Sequence, residues 1–375
     1  MSITAPYAAD AQDRIRFSSR HVITATAYPV SGSPFELDVE DAQVQFDESW
    51  SPRIQATLTC KVPEDKTVLE SLDARKNVRV KIYAGYVWDS VTEDIQLLAD
   101  LHVRSREVKR PSNRLVLRCH SDEGLAQDYK RLAWDSAPPQ SNLLDVVQYH
   151  ANIAVIPGAA PTVVTDFPSN FGASAVSGVT QDPGQDSWSL LSDAANRAGV
   201  QIYCTGDRKW RIAARPVISS DTALNLTTGG GGIIKESTAL YSREEFNNAV
   251  CIAYKWRDVS NVDHVLYGHA YISSGPFAMS AIGHNTYFEE RNIPATQAQA
   301  DAAATAALQA MAKRGRFFSI DAISAYWVLP GMTVTATLPT GDQERLLVSS
   351  VSFNFPSGAM SLRLRQPEDL TILNS

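Results

Sequence analysis

Apolar and polar residues alternate along much of the first third of the chain. His21-Val22-Ile23-Thr24-Ala25 and Ala42-Gln43-Val44-Gln45-Phe46 both show the two-residue period of a strand with one face buried. The pattern is cleanest in Val78-Arg79-Val80-Lys81-Ile82. Leu97, Ala99, Leu101 and Val103 extend it as one face of a long strand. A turn at Pro111-Ser112-Asn113 predicts a return strand with Leu115, Leu117 and Cys119 on one face.

The middle of the chain changes period. Leu143, Leu144, Val147 and Ala151 fall at helical spacing behind Ser141, a residue type suited to an N-cap. The segment from Pro157 to Gly184 is rich in Pro, Gly and Ser and predicts an extended loop or arm, mobile in the isolated chain and ordered in an assembly. A second helix is expected from Ser187 through Leu190, Leu191, Ala194 and Ala195, ending at Gly199. Two short strands, Val200–Cys204 and Lys209–Ile212, follow around the turn Thr205-Gly206-Asp207-Arg208. The last third returns to β at Asn248–Tyr254. One Ala-rich helix, from Thr296 to Lys313 and stopping at Gly315, is composed to allow close backbone approach.

The two ends share an order of elements. Val334, Ala336 and Leu338 alternate as Val78, Val80 and Ile82 do, and Leu347, Val351, Phe353 and Phe355 are expected on one face. Pro356-Ser357-Gly358 then precedes Met360-Ser361-Leu362-Arg363-Leu364-Arg365. That last strand matches Leu115-Val116-Leu117-Arg118-Cys119-His120, with Arg118 and Arg363 in register. The expectation is a mainly β chain with an α+β middle: an N-terminal β-barrel domain over 1–132, a small helix–hairpin domain over 133–235, and a related C-terminal β-barrel domain with the Ala-rich helix over 236–375. Two similar barrels per chain would let a trimer present six units in a ring.

Composition narrows the function. The 375 residues are 44% hydrophobic and 20% charged, as in a globular protein. Forty-one acidic residues against 34 basic ones give a net charge of −7, which argues against a sequence-independent nucleic-acid binder. No apolar run approaches a membrane span, and the charged residues Asp10 to Arg20 speak against a signal peptide, so synthesis and first folding in a cytoplasm are expected. Cys60, Cys119, Cys204 and Cys251 show no metal-ligand spacing and read as free thiols standing in strands.

No catalytic, cofactor or metal site is expected. Among seven histidines, His264 and His269 are closest, and a five-residue step puts them on different faces of a strand. Gly172-Ala173-Ser174-Ala175-Val176 lacks the final glycine of a nucleophile elbow, and Gly229–Gly232 lacks the Lys-Ser/Thr of a phosphate loop. Glu289 and Glu290, or Glu244 and Glu245, are adjacent and would point apart on a strand, which does not suit a glycosidase pair. Trp50, Trp88, Trp188, Trp210, Trp256 and Trp327 are scattered, as expected of core and contact residues.

Several stretches resemble the tail hub, or minor tail, proteins of tailed bacteriophages. They are the Ala295–Gly315 helix, Arg316-Phe317-Phe318-Ser319-Ile320, the turn Leu329-Pro330-Gly331-Met332-Thr333-Val334, and the Leu/Arg alternation before Arg365. Ser187-Trp188-Ser189-Leu190-Leu191 with the Trp210 hairpin, and Asn247-Asn248-Ala249-Val250, resemble further parts of that family. Met332 stands where the family often has Asp. The resemblance implies a non-enzymatic structural protein at the virion tail tip, assembled in the host cytoplasm as a homotrimer with pseudo-six-fold symmetry. Implied partners are the distal tail protein, tail tube, tape-measure protein and tip or fibre proteins, with no membrane and with DNA only passing through the lumen. A receptor- or carbohydrate-binding tail-tip protein is the first alternative, and a tail-associated cell-wall hydrolase the second.

Overall fold

Residues with a two-residue apolar period become strands in the computed structural model, which describes residues 3–17, 20–89, 92–132, 142–154, 161–166, 181–244, 246–258, 260–311, 316–365 and 372–373. The N-terminal third supplies β1 (Arg20–Tyr28), β2 (Phe35–Leu37), β3 (Val39–Asp47), β4 (Ile54–Lys61), β5 (Arg79–Val87), β6 (Glu93–Lys109) and β7 (Arg114–His120). The middle supplies β8 (Thr162–Thr165), β9 (Gln201–Cys204) and β10 (Lys209–Ala213), with helices Leu143–Ala154 and Ser187–Arg197. Then follow β11 (Leu224–Leu226), β12 (Ile234–Tyr241), β13 (Ala249–Arg257), β14 (Asp263–Ile272) and β15 (Thr286–Arg291), and the Ala-rich helix Gln297–Met311. The chain ends in β16 (Arg316–Ile323), β17 (Thr333–Thr337), β18 (Gln343–Phe355), β19 (Ala359–Arg365) and β20 (Ile372–Leu373).

Both chain ends enter one sheet. Its thirteen strands run β12-β16-β19-β18-β3-β4-β7-β6-β5-β1-β2, with β17 beside the first part of β18 and β11 on β17. Two closed barrels are therefore not what forms: among the described residues the pairing follows one open path. The reason is the length of β18. Its first residues, Gln343 to Leu347, pair with β17, and its last six, Ser350 to Phe355, pair with β3. The C-terminal meander thus offers an edge to the N-terminal one instead of closing on itself.

The two meanders repeat each other's irregularities. β6 pairs with β7 through Val103↔Cys119 and Ser105↔Arg118, leaving Arg104 as a bulge. β18 pairs with β19 through Val348↔Leu364 and Ser350↔Arg363, leaving Ser349 in the same place. Each hairpin turns at a Pro-Ser pair followed by a left-handed residue, Asn113 with φ 55° and Gly358 with φ 61°. On the far side, β4 joins β7 and β16 joins β19 in matching register. The next strands match too: Glu40 bulges between Val39↔Cys60 and Asp41↔Thr59, and Lys235 bulges between Ile234↔Ala322 and Glu236↔Asp321. A bulge is a local choice that alternation alone does not impose, so two in common, at the same step of both ladders, are the mark of one repeated unit.

Bulges also correct two expected faces. Leu98 bulges where Ile82↔Ala99 gives way to Tyr83↔Leu97, so Leu97 leaves the face of Ala99, Leu101 and Val103 and is 37% exposed. Ser349 likewise turns Leu347 out of the core that holds Leu346, Val348, Val351 and Phe353.

Three hydrophobic cores result among the described residues. The largest takes residues from both chain ends, including Leu58, Ile82, Leu101, Leu117, Val334, Leu346, Val351 and Leu362. Aromatic rings knit its halves together: Tyr86 lies 5.2 Å from Tyr326, which lies 5.2 Å from Phe353. The Tyr86 hydroxyl donates to the Ser324 carbonyl at 2.8 Å and accepts from the Tyr326 N–H at 3.1 Å. The second core packs helices Leu143–Ala154 and Ser187–Arg197 on β8, β9 and β10 around fully buried Trp210. The third lies between the Ala-rich helix and β13 and β14. Here the small residues do what their composition suggests: a Cβ at Gly268 would overlap the Ala300 carbonyl, so helix and strand backbones touch.

Part of the expected arm is strand. Thr162–Thr165 forms β8, parallel to β10, while residues 155–160 and 167–180 lie outside the described residues. Ser141 and Gly315, expected at helix ends, also lie outside them. The Asn142 side chain caps the first of these helices, accepting from the Asp145 N–H at 2.9 Å.

Candidate assembly surfaces

The central unit is held on the large sheet by the tip of the β9–β10 hairpin. A Cβ at Gly206 would overlap the Leu98 carbonyl oxygen, and the Asp100 N–H donates to the Gly206 carbonyl at 2.7 Å. The hairpin tip thus sits in the Leu98 bulge. Arg208, with φ 62°, aims its Nε at Asp122 Oδ2, 3.0 Å away, and His102 Nε2 meets Asp122 Oδ1 at 2.9 Å. Burial would push the Asp122 carboxyl up, but the His102 hydrogen bond and the Arg208 charge outweigh it and hold that carboxyl below its usual range. Glu123, fully buried, accepts from the Cys204 N–H at 2.8 Å, and burial raises its pKa. Arg53 lies 3.9 Å over the Tyr203 ring, and burial lowers its pKa.

His102 beside Asp122 has the outline of a catalytic dyad, yet both are almost fully buried and the outer ring nitrogen, Nδ1, meets no hydrogen-bonding group among the described residues. A general base needs a nucleophile or a water within reach of that nitrogen. The geometry is that of a structural clamp. His102 and His150 are both buried, and each meets a side chain brought in from another element. Their signal in the sequence was weak, because the partners Asp122 and Ser187 are distant in the chain or carried on another element.

The other residues singled out from the sequence separate as their spacing implies. His264 pairs with Asp258 at 2.9 Å and stacks on Trp256, while His269 stacks on Tyr267. Glu289 meets Arg291 at 2.8 Å and Glu290 meets Lys255 at 2.6 Å, so the two carboxylates point apart. Glu244 is exposed, and Glu245 and Gly172–Val176 lie outside the described residues. Cys60, Cys119 and Cys204 are buried free thiols; burial pushes Cys60 up to about 12. Cys251 is half-buried. Among the described residues no group of three or more His, Cys, Asp or Glu is placed to hold a metal, and no helix is long and apolar enough to cross a membrane. An open groove between the Ser187–Arg197 helix and β15 is lined by Trp188, Asp193, Glu289 and Arg291, and its arginine is already paired with Asp193 at 2.7 Å.

The broad surfaces carry the remaining information. The apolar face of the large sheet is covered by the chain's own core. The opposite face, over β3, β4, β7, β18 and β19, presents Gln43, Gln45, Thr57, Arg118, Ser352 and Arg363. Gln43 Nε2 donates to Ser352 Oγ at 3.1 Å across the join between the two meanders. Four of these six residues are uncharged polar ones, and Arg118 and Arg363 carry positive charge. The sheet path ends at β12, whose Leu240 and Tyr241 are 50% and 68% exposed.

The order of these elements decides the comparison with solved structures. The tail protein from Neisseria meningitidis MC58 matches over 92% of this chain and 96% of its own, with a TM-score of 0.60 and 14% identity. The chain has a phage tail-protein fold. The 43 kDa tail protein of prophage MuSo2 from Shewanella oneidensis matches over 92% and 98% of the two chains (TM-score 0.57, 11% identity). Prophage tail protein gp18 from Listeria monocytogenes EGD-e matches over 92% and 95% (TM-score 0.52, 10% identity). No family model and no curated protein matches the sequence. Identities this low show a shared fold, which the phage tail-protein fold here extends over nearly the whole chain.

Proposed function

We propose that this chain is a structural tail hub, or minor tail protein, of a phage or phage-like particle, without enzymatic activity. Three copies form a pseudo-six-fold ring at the distal end of the tail and join the tail tube to the tip. The observation that carries this reading is the repeated unit: two meanders with the same bulges, already joined edge to edge in one sheet. A chain built of two like units needs three copies to make six positions. The polar face suits a channel wall past which a polymer slides, because it offers hydrogen-bonding groups in place of apolar ones. The central unit and the small β13–β15 sheet stand off this wall and are the parts available to the distal tail protein, the tape-measure end and tip or fibre proteins. DNA is met only in passage.

A second reading, a receptor-binding tip protein, is favoured by one observation: Val265, Tyr267 and Phe288 are exposed together on β14 and β15. Electron microscopy with analytical ultracentrifugation separates the two. Ring-shaped trimers are expected for a hub. A stable monomer that adsorbs to host cells unaided overturns the hub reading and favours the second one.

A further inference from the structure

The groove beside the Ser187–Arg197 helix lies where the central unit meets the small β13–β15 sheet, and no step of ring assembly calls on it. We infer that it binds a neutral oligosaccharide, with one sugar face on Trp188 and the hydroxyls on the polar groups around it. This goes beyond the hub reading and does not depend on it.

The helix divides its residues by period. Leu190, Leu191, Ala194 and Ala195 turn into the second core, whereas Trp188, Ser192 and Asn196 line the groove. Trp188 is half-buried, its ring centroid 6.1 Å from that of fully buried Trp210. One side of the indole thus rests on the core while the ring still borders the groove. A ring fixed in this way is a platform for the C–H face of a pyranose, and it has little freedom left to lose on binding.

The opposite wall comes from the end of β15 and the residue after it, as Glu289, Arg291 and Asn292. The Arg291 side chain is only 10% exposed and is held from three directions: by Asp193 at 2.7 Å, Glu289 at 2.8 Å and the Tyr254 hydroxyl at 3.2 Å. The Asp193 bond crosses from the helix to the sheet and sets the width of the groove. Both carboxylates are fixed by it and its neighbour, so a ligand meets polar groups already in place. Ser192 and Asn292 add a hydroxyl and an amide that bond to no other side chain among the described residues.

The lining selects the class of ligand. Four carboxylates, Asp182, Asp193, Glu289 and Glu290, stand with one arginine, which its carboxylate partners already neutralise, so an anion finds no free positive charge there. A cation fares little better, because Asp193 and Glu289 are taken by Arg291 and Glu290 by Lys255. An apolar ligand has Trp188 and Ile293 alone to rest on. A saccharide matches the walls: its hydroxyls both donate and accept, as carboxylates and amides require, and its one apolar face fits the indole. The volume, about 700 Å³, is that of a site for a drug-sized ligand and takes roughly two to three sugar rings.

The test is calorimetric titration of the full chain with linear trisaccharides of glucose, mannose, galactose and N-acetylglucosamine, and with trilysine and inorganic phosphate. One-to-one binding of at least one trisaccharide is expected, with no heat from trilysine or phosphate. Trp188→Ala should weaken binding by about tenfold or more, and Trp188→Phe by much less. Trp188 also packs on the second core, so two further variants serve where Trp188→Ala fails to fold. Ser192→Phe, which fills the groove, should abolish binding, and Asn292→Ala, at an exposed position, should weaken it about threefold. Tyr267→Ala, on the outer face of the small sheet, should leave it unchanged. Absence of binding for all four trisaccharides, binding of trilysine or phosphate in their place, or saccharide binding indifferent to Ser192→Phe overturns the inference. Loss of binding in Tyr267→Ala places the saccharide on the exposed sheet face instead and overturns it too. Ring formation is read separately by ultracentrifugation, and failure of the groove to bind leaves the ring reading standing.

Discussion

Arg208→Met should loosen the central unit from the large sheet without unfolding either. The guanidinium lies 3.0 Å from Asp122, a carboxylate 1% exposed whose other side-chain partner is His102. At an effective dielectric near 20, a unit pair at this distance interacts by about 5 kcal/mol, and removing Arg208 recovers part of that as relief from its own desolvation. His102 still holds one oxygen, so the net cost should be about 2–4 kcal/mol, below that of a fully orphaned buried charge. Met keeps most of the aliphatic volume, which confines the effect to charge and hydrogen bonding. Hydrogen exchange followed by mass spectrometry is the suitable assay, because it reads each core separately. Protection should fall in β9, β10 and the Ser187–Arg197 helix and hold in β4, β7 and β18. A double-mutant cycle with Asp122→Asn should give a coupling of about 2 kcal/mol. A cost under about 0.5 kcal/mol, or a loss of protection spread evenly over all three cores, would refute the clamp.

The two repeated turns should respond unequally. Asn113→Gly should change stability by less than about 0.5 kcal/mol, since φ is 55° and the site is open, whereas Gly358→Asn should cost about 2 kcal/mol or more because its Cβ would overlap the His21 ring; urea unfolding of both variants compares them. Stability should also depend on pH through His21, which burial first and the Lys235 charge second lower from 6.5 to about 4. The fold favours the neutral ring, so the contribution is complete above about pH 6.5 and is lost as pH falls toward 4. It amounts to about 3 kcal/mol at most and about 2 after allowing for partial exposure. The urea midpoint of the wild type should therefore drop between pH 6.5 and 4 by more than that of His21→Phe, and parallel curves would refute the assignment.

Strand and helix positions were legible because period and turn chemistry are local. β3, β5, β7, β13 and the Lys209–Ala213 strand fall where alternation put them, and Thr205–Arg208 is the turn it was expected to be. The Ala-rich helix was legible down to its purpose, since Gly268 admits its backbone. Bulges were not legible. Leu98 and Ser349 differ in type and carry no signal of their own, and each reverses the facing of the residues on one side of it, as Leu97 and Leu347 show. The clamp was hidden for another reason: Asp122 and Arg208 are 86 residues apart, and only the docking of a hairpin tip into a bulge brings them together.

The same distinction explains why two barrels were expected and one open sheet forms. Period predicts that strands exist and which way they face; it is blind to which edge meets which. β3 on β18 joins residues about 300 positions apart, and nothing in either strand's pattern distinguishes that partner from closure within its own meander. Physical chemistry then sets the problem that assembly must solve. A meander that does not close on itself leaves hydrogen-bonding edges, and the chain satisfies one of them internally by laying β3 on β18, while among the described residues the equivalent edges of β6 and β12 pair with no further strand. A monomer with so long an open edge should aggregate or polymerise without limit unless the rotation between units closes.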